Sequence, residues 1–159
     1  MFTLFRHPVE RAVSLFYYLQ HADWERTYDP SSANMTILEY AADGRAEHNW
    51  MMRTLLDKST FTEKDLEDAK DILRQKCVVG LMSDMGESIR RFARYFQWES
   101  AHVGECITNF LAEGGKNSFE HPRYQKESEE WEALAANNRW DIELYDYALT
   151  LFEEQGEQE

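Results

Sequence analysis

The sequence predicts a helix-rich α/β fold in which a few parallel strands are flanked by helices. Two short apolar segments have the composition of buried strands, and each is followed by a segment with helical periodicity. The resulting order of strand, helices, strand and helices is typical of α/β proteins with a parallel sheet. Only two strands are convincing, and two parallel strands seldom make a stable buried sheet.

The first strand is predicted over Phe2–Phe5, where the residues are apolar or β-prone. A turn containing Arg6 leads to a helix that begins at Pro8, because the missing N–H of proline has no intrahelical partner at the first helical position. Apolar residues recur along this helix at helical spacing: Val9, Ala12, Val13, Phe16 and Leu19. A cation fixed in a strand-to-helix turn is a place to hold an anion.

The middle of the chain is predicted to be a loop followed by helices. The predicted elements are a loop over Asp23–Ala33, a short helix over Thr36–Ala42, a helix over Arg45–Leu56 and a helix that follows Thr62 and ends at Lys76. Thr62 with Asp65 three residues later is close to a capping box.

The second strand is predicted over Cys77–Leu81, and a helix over Met85–Trp98 follows it. We expect Arg90, Arg91 and Arg94 of this helix to face solvent, opposite Ile89, Phe92, Ala93 and Phe96. The segment Glu99–Pro122 is rich in Gly, Asn and Ser and is predicted to be irregular. Helices are predicted over Glu127–Asn137 and Asp141–Glu154, and Gln155–Glu159 is expected to fray.

Composition limits the classes of partner. The chain has 159 residues, enough for one domain with a core, and a net charge of −13. Lys126–Glu159 alone carries eleven acidic and two basic residues. Nucleic acid is not an expected partner, because affinity for its phosphate backbone needs a basic surface. No apolar run reaches the roughly 18 residues that a membrane span needs.

The two cysteines, Cys77 and Cys106, lack a metal-binding spacing, and no metal site is predicted. A buried thiol is the favoured interpretation of Cys77, since a bridge to Cys106 requires an oxidising compartment. Asn34-Met-Thr36 is an N-glycosylation sequon, which matters only in a secretory lumen, and Thr36 is equally a good helix cap.

The string Arg6-His-Pro-Val-Glu-Arg-Ala-Val-Ser14 resembles the 3′-phosphate-binding motif of sulfotransferases that use PAPS (3′-phosphoadenosine 5′-phosphosulfate), especially their carbohydrate (Golgi-type) branch. The resemblance implies that Arg6 and Ser14 bind the 3′-phosphate of PAPS or of its product PAP. A planar guanidinium matches phosphate oxygens bidentately. His7 replaces the Asp of the family pattern, and Arg11 fits the pattern but is also interpretable as a structural ion-pair partner. The competing interpretation is an amphipathic helix with a chance Arg and Ser.

Three further segments resemble the same family with less specific chemistry. Asn49-Trp-Met-Met-Arg53 resembles its Asn-x-x-x-Arg segment, although a helix with an apolar side and an exposed Arg is an equal interpretation. Val78–Ser88 resembles a later strand and helix and is structural, and Trp140–Ala148 resembles the final helix.

The family's Gly-rich loop for the 5′-phosphosulfate is not found in this sequence. The nearest string is Gly114-Gly-Lys-Asn-Ser118, and a separate cofactor contact by Lys116 is a further hypothesis. The general base that takes the acceptor proton is unassigned. The candidates His7, His21, His48, His102 and His121 do not stand out from surface histidines, so no catalytic residue is predicted.

The resemblance identifies residues 1–159 as a single, incomplete sulfotransferase domain with a partial P-loop-type fold, the C-terminal portion of an enzyme. It implies transfer of a sulfuryl group from PAPS to a hydroxyl, by family analogy that of a carbohydrate. It also implies the Golgi lumen, with membrane attachment only through a segment absent from this chain. Two alternatives stay open: a catalytically inactive fragment that binds PAP weakly, and an acidic helical module that meets a basic protein partner. A different P-loop phosphotransferase would also need the Gly-rich loop.

Overall fold

The computed structural model describes residues 1–44, 46–98, 101–112 and 121–157, without the side chains of residues 101–103. The chain is helix-rich with a small parallel sheet, as predicted, and this is compatible with the α/β class. The elements are β1 (Phe2–Phe5), α1 (Pro8–Leu19), a 3-10 helix (Pro30–Asn34), α2 (Ile37–Ala42), α3 (Trp50–Leu56), α4 (Glu63–Lys76), β2 (Val78–Leu81), a 3-10 helix (Met82–Asp84), α5 (Met85–Tyr95), α6 (Ala101–Ala112), α7 (Glu129–Asn137) and α8 (Arg139–Glu157).

The chain forms two compact units. The first, here called the sheet unit, comprises Met1–Arg6, Thr62–Ser118 and Leu144–Glu159. The second, called the helical unit, comprises His7–Phe61 and Phe119–Glu143. β1 and α1 therefore fall into different units, although they are almost consecutive in sequence.

In the sheet unit, β1 and β2 run parallel, with Phe2 opposite Val78 and Phe5 opposite Leu81. Parallel pairing was predicted from the order of the elements, and both strands lie within one residue of their predicted bounds. The core of this unit collects apolar residues from both strands and from helices: Phe5, Leu66, Ala69, Leu73, Val79, Phe92, Leu144, Leu151 and Phe152.

The outer edge of β2 is completed by a side chain. The N–H of Val79 donates to Oε1 of Gln155, and Nε2 of Gln155 donates to the carbonyl of Cys77, both at 2.9 Å. The amide of Gln155 thus takes the place of a neighbouring strand and satisfies backbone groups that an edge would leave open. The expectation that Gln155 frays is wrong, because α8 continues to Glu157 and is tied to the sheet.

In the helical unit, α1 packs against α2 and α7. The predicted apolar row of α1 is confirmed, since Val9, Ala12, Val13 and Phe16 are buried, whereas Leu19 is half-buried. Thr36 caps α2 in a complete capping box with Glu39. Leu134 of α7 and Ile37, Tyr40 and Ala41 of α2 complete the shared core.

Three further local predictions are wrong. The helix predicted over Arg45–Leu56 begins only at Trp50, because Asn49 adopts a left-handed conformation with φ of 44°. The segment Glu99–Pro122, predicted to be irregular, contains α6, where apolar residues recur despite Gly104. The expected exposure of Arg91 is also not observed, since only 6% of this residue is accessible.

Arg91 is buried because its charge and its donors are matched locally. Its Nε donates to Glu87 at 2.9 Å, a terminal nitrogen donates to the carbonyl of Phe152, and the guanidinium lies 3.8 Å from the ring centroid of Phe152. A buried guanidinium is tolerated when it is paired in this way.

The favoured interpretation of Cys77 is confirmed, because its thiol is buried, and Cys106 is exposed and not bridged to it.

Candidate functional site

The turn between β1 and α1 carries the strongest signal in the sequence. Arg6 follows β1 directly and is half-buried. The next residue, His7, is the N-cap of α1: its Nδ1 accepts a hydrogen bond from the backbone N–H of Val9 at 3.3 Å. A carboxylate at the same position would also accept from the first turn of a helix. His7 therefore caps α1 in the way that a carboxylate at this position would.

Ser14 lies in the second turn of α1 and is half-buried. The buried row of this helix includes Val9 and Val13, and helical geometry places Ser14 on a different side, with Glu10 and Tyr18 one turn before and after it. A hydroxyl in this position can donate one hydrogen bond to an anion.

Arg6 and Ser14 belong to different compact units, Arg6 to the sheet unit and Ser14 to the helical unit. Within its own unit each occupies the local position that the motif predicts, at the end of a strand and on a capped helix. That both side chains bind the same phosphate stays a prediction.

Arg11, the second arginine of the motif, is held within the helical unit. It forms an ion pair with Glu47, and its guanidinium lies 4.1 Å from the ring centroid of Trp50. Arg11 is therefore a structural ion-pair partner that ties α1 to the segment before α3.

The segment Asn49–Arg53 also has a structural explanation. Oδ1 of Asn49 accepts from the backbone N–H groups of Trp140 and Asp141, at 3.0 and 3.2 Å, and thus caps α8. Asp141 in turn accepts from the N–H groups of Met51 and Met52, both at 2.9 Å, and caps α3. Burial raises the pKa of Asp141, and these two backbone hydrogen bonds oppose the rise. Two buried side chains therefore cap each other's helices.

Arg53, the last residue of that segment, is exposed on α3, whereas Met51 and Met52 are buried. This matches the structural interpretation of the segment, a helix with an apolar side and an exposed Arg. The αL conformation of Asn49 was not predictable from its neighbours, because the partners that hold it lie about ninety residues away.

The segment Val78–Ser88, predicted to be structural, forms β2, a 3-10 turn and the start of α5. Ser88 is fully buried, and its hydroxyl accepts from the N–H of Leu81 at 2.7 Å and contacts the carbonyl of Asp84 at 2.7 Å. All of this bonding stays inside the turn, so the hydroxyl of Ser88 is committed to the fold.

One histidine gains a context that the sequence did not reveal. The ring of His121 stacks on Tyr17 of α1, with centroids 5.8 Å apart and planes 3° from parallel. The hydroxyl of Tyr17 is hydrogen-bonded to that of Tyr124 at 2.8 Å. Burial and this hydrogen bond raise the pKa of Tyr124. The sequence shows that Tyr17 lies three residues after Ser14 on the same helix. It does not show that His121 and Tyr124 pack against Tyr17.

The other histidines show less specific surroundings. His21 is exposed, the ring of His48 lies 3.1 Å from the carbonyl of Ala46, and His7 packs against Trp131 with centroids 4.8 Å apart. The side chain of His102 lies outside the described residues, as does the whole Gly114–Ser118 string with Lys116.

In the described part of the chain, His, Cys, Asp and Glu side chains do not gather in groups of three or more that could hold a metal ion. Among the helices described, none combines the length and the apolar character that crossing a membrane requires.

Comparison with known proteins adds no relative. The chain matches no family model, no curated protein and no solved structure.

Proposed function

We propose that this chain carries the 3′-phosphate-binding part of a PAPS-dependent sulfotransferase with a partial P-loop-type fold. The observation that supports the proposal is the motif Arg6–Ser14 laid out on a strand, a capped turn and a helix. The capping role of His7 is compatible with the proposal, because a histidine that replaces the Asp of the motif can accept the same kind of hydrogen bond from the first turn of the helix. A helix-rich chain with two parallel strands is compatible with such a fold.

The proposed reaction moves a sulfuryl group. The bond between the sulfur and the bridging oxygen of PAPS breaks, a bond forms from the sulfur to an acceptor hydroxyl oxygen, and PAP leaves. The proton of the hydroxyl passes to a base, which is not assigned in this chain. Arg6 would bind two oxygens of the 3′-phosphate, and Ser14 would donate one hydrogen bond. Both residues bind and orient the cofactor and take no part in proton transfer. The acceptor is a carbohydrate and the compartment the Golgi lumen by family resemblance.

The test compares two nucleotides that differ at one group. Calorimetry should show that PAP binds more tightly than 5′-AMP, which lacks the 3′-phosphate. In Arg6→Ala the affinity for PAP should fall by a factor of about 10 to 100, because a charge-assisted hydrogen bond contributes about 1.5–3 kcal/mol. Ser14→Ala should show a smaller loss. The affinity for 5′-AMP should change little in either variant.

The matched control is Arg94→Ala, which removes an exposed arginine of α5 with the same change of charge. Its affinity for PAP should equal that of the wild type. Equal affinity of the wild type for PAP and 5′-AMP would contradict the proposal. Salt-sensitive association with a basic protein that persists in Arg6→Ala would favour the acidic helical module instead.

A further inference from the structure

Trp24 is the most exposed large apolar residue that the structure describes, with 68% of its surface accessible. Single exposed apolar residues are common and need no explanation by themselves. This indole, however, makes a hydrogen bond and a ring contact that favour one orientation. Its Nε1–H donates to the hydroxyl of Tyr18 at 3.2 Å, and that hydroxyl donates to Oε1 of Glu25 at 2.7 Å. The two rings meet edge to face, with centroids 6.3 Å apart and planes at 74°.

The backbone that carries Trp24 is also tied down. Ala22, two residues earlier, is completely buried and its N–H donates to the carbonyl of Tyr18 at 3.1 Å. The turn continues with the N–H of Glu25 on the carbonyl of Ala22 at 2.9 Å and the N–H of Tyr28 on the carbonyl of Glu25 at 3.1 Å. The exposed ring is thus presented by a hydrogen-bonded turn, which lowers the entropy lost when a ligand packs on it.

We propose that Trp24, Tyr18 and Glu25 form a platform that binds a pyranose ring of a glycan. The C–H groups on the flatter face of a pyranose carry partial positive charge and are attracted to the electron-rich face of an indole. The carboxylate of Glu25, which the Tyr18 hydroxyl links to the N–H edge of the indole, can accept hydrogen bonds from sugar hydroxyls. An aromatic face with an adjacent acceptor thus suits an uncharged, hydroxyl-bearing ring.

The platform deepens the proposed function, on which it depends for naming the glycan as the sulfuryl acceptor. Tyr18 and Ser14 lie one turn apart on neighbouring positions of α1, about 6 Å along the helix axis. A glycan on the platform therefore lies on the same side of α1 as the hydroxyl assigned to the cofactor.

The experiment is saturation-transfer NMR of the full chain with cellotriose and with N,N′,N″-triacetylchitotriose. Both sugars should bind, with the transfer strongest at ring C–H protons. Trp24→Ala should weaken binding at least about tenfold, the loss of roughly one aromatic contact. Tyr18→Phe, which keeps the ring and removes the hydroxyl that orients Trp24, should weaken it less. The matched control Trp98→Ala removes another exposed indole, one in the sheet unit, and should leave binding unchanged.

Three results would overturn the platform: no transfer to either sugar, equal binding by the wild type and Trp24→Ala, or equal losses in Trp24→Ala and Trp98→Ala. A fluorescence shift of Trp24 with phosphatidylcholine vesicles, without sugar binding, would assign the surface to a membrane instead. The two proposals fail separately. Retained sugar binding without any preference for PAP over 5′-AMP would refute the sulfotransferase site alone, and the reverse result would refute the platform alone.

Discussion

The chain contains two turns that each lead from a strand of the parallel sheet into a helix, and the two turns differ in the surroundings of their polar side chains. In the turn after β2, Ser88 is fully buried and its hydroxyl bonds to Leu81 and Asp84 of the same turn. In the turn after β1, the corresponding polar residues are Arg6 and Ser14, and both are half-buried. Arg6 and Ser14, which follow β1, are thus partly accessible to solvent. The hydroxyl of Ser88, which follows β2, is buried and hydrogen-bonded within the fold.

The comparison shows which observation separates the two turns, namely how closely the helix packs against the strand that precedes it. Ligands in parallel sheets bind outside the carboxyl ends of strands, so both turns are eligible by position. After β2, the helix approaches the strand so closely that a Cβ on Gly80 would lie 3.0 Å from Cβ of Ser88, with the ring of Phe92 also in the way. Side chains of α5 therefore fill the space beside Gly80. After β1, the helix is capped by His7.

The largest effect on stability is expected from Gly80→Ala, which tests whether the turn after β2 is closed by close packing. The added methyl group would force α5 away from β2, and overpacking of this kind destabilises by about 3 kcal/mol. Urea denaturation would measure the loss. Gly44→Ala is the control, since nothing lies within 4 Å of a Cβ built there. Equal stability of the two variants would show that α5 can shift without penalty.

The next largest effect is the loss of unfolding free energy when each of the two serines is replaced by alanine. Ser88→Ala should lose about 2 kcal/mol, because the buried N–H of Leu81 is left without its acceptor. Ser14→Ala should lose about 0.5 kcal/mol or less, as is usual for a half-exposed position without such a partner. Both values come from the same denaturation series. Similar losses in the two variants would contradict the structural difference between the buried hydroxyl of Ser88 and the half-buried hydroxyl of Ser14.

The smallest effect is a pH dependence confined to the turn after β2. Hydrogen bonds from Arg91 and then Arg90 lower the pKa of Glu87. Such a group contributes stability at pH values above its unfolded pKa, and the contribution disappears as the pH falls through the lower folded pKa. The unfolding free energy of Glu87→Gln should therefore vary less than that of the wild type below about pH 4.5. Glu153→Gln, an exposed residue of α8, should follow the wild-type pH profile. A Glu87→Gln profile that overlays the wild type would show that the ion pair adds no stability.

Much of the fold could be predicted because its signals are local. Pro8 and Thr62 mark helix starts through groups that act within four residues. The capping box predicted at Thr62 forms, and Thr36, predicted to be a good helix cap, caps α2. The buried row of α1 follows from period alone. α6 was missed because glycine and polar residues dilute its apolar pattern, so the local signal favours a loop.

The candidate site could be predicted only in part. The types and order of Arg6, His7 and Ser14 resemble a phosphate-binding motif, whereas the hydrogen bond from the indole of Trp24 to the hydroxyl of Tyr18 was not visible in the sequence. Arg91 was misjudged because its charge is matched by Glu87 and by the carbonyl of Phe152, which comes sixty-one residues later. A helical wheel cannot show such a partner.

The sequence by itself determined where both strands lie, where capped helices such as α2 and α4 begin and which face of α1 is apolar, and it placed the string Arg6–Ser14 between the first strand and its helix. These features depend on backbone propensity, side-chain period and capping, all of which act over a few residues. Only the tertiary structure decided that Asn49 and Asp141 cap each other's helices, that Gln155 completes the edge of β2 and that Arg91 is buried. The physical reason is that a buried polar group must find a partner, and distant segments of the chain supply it.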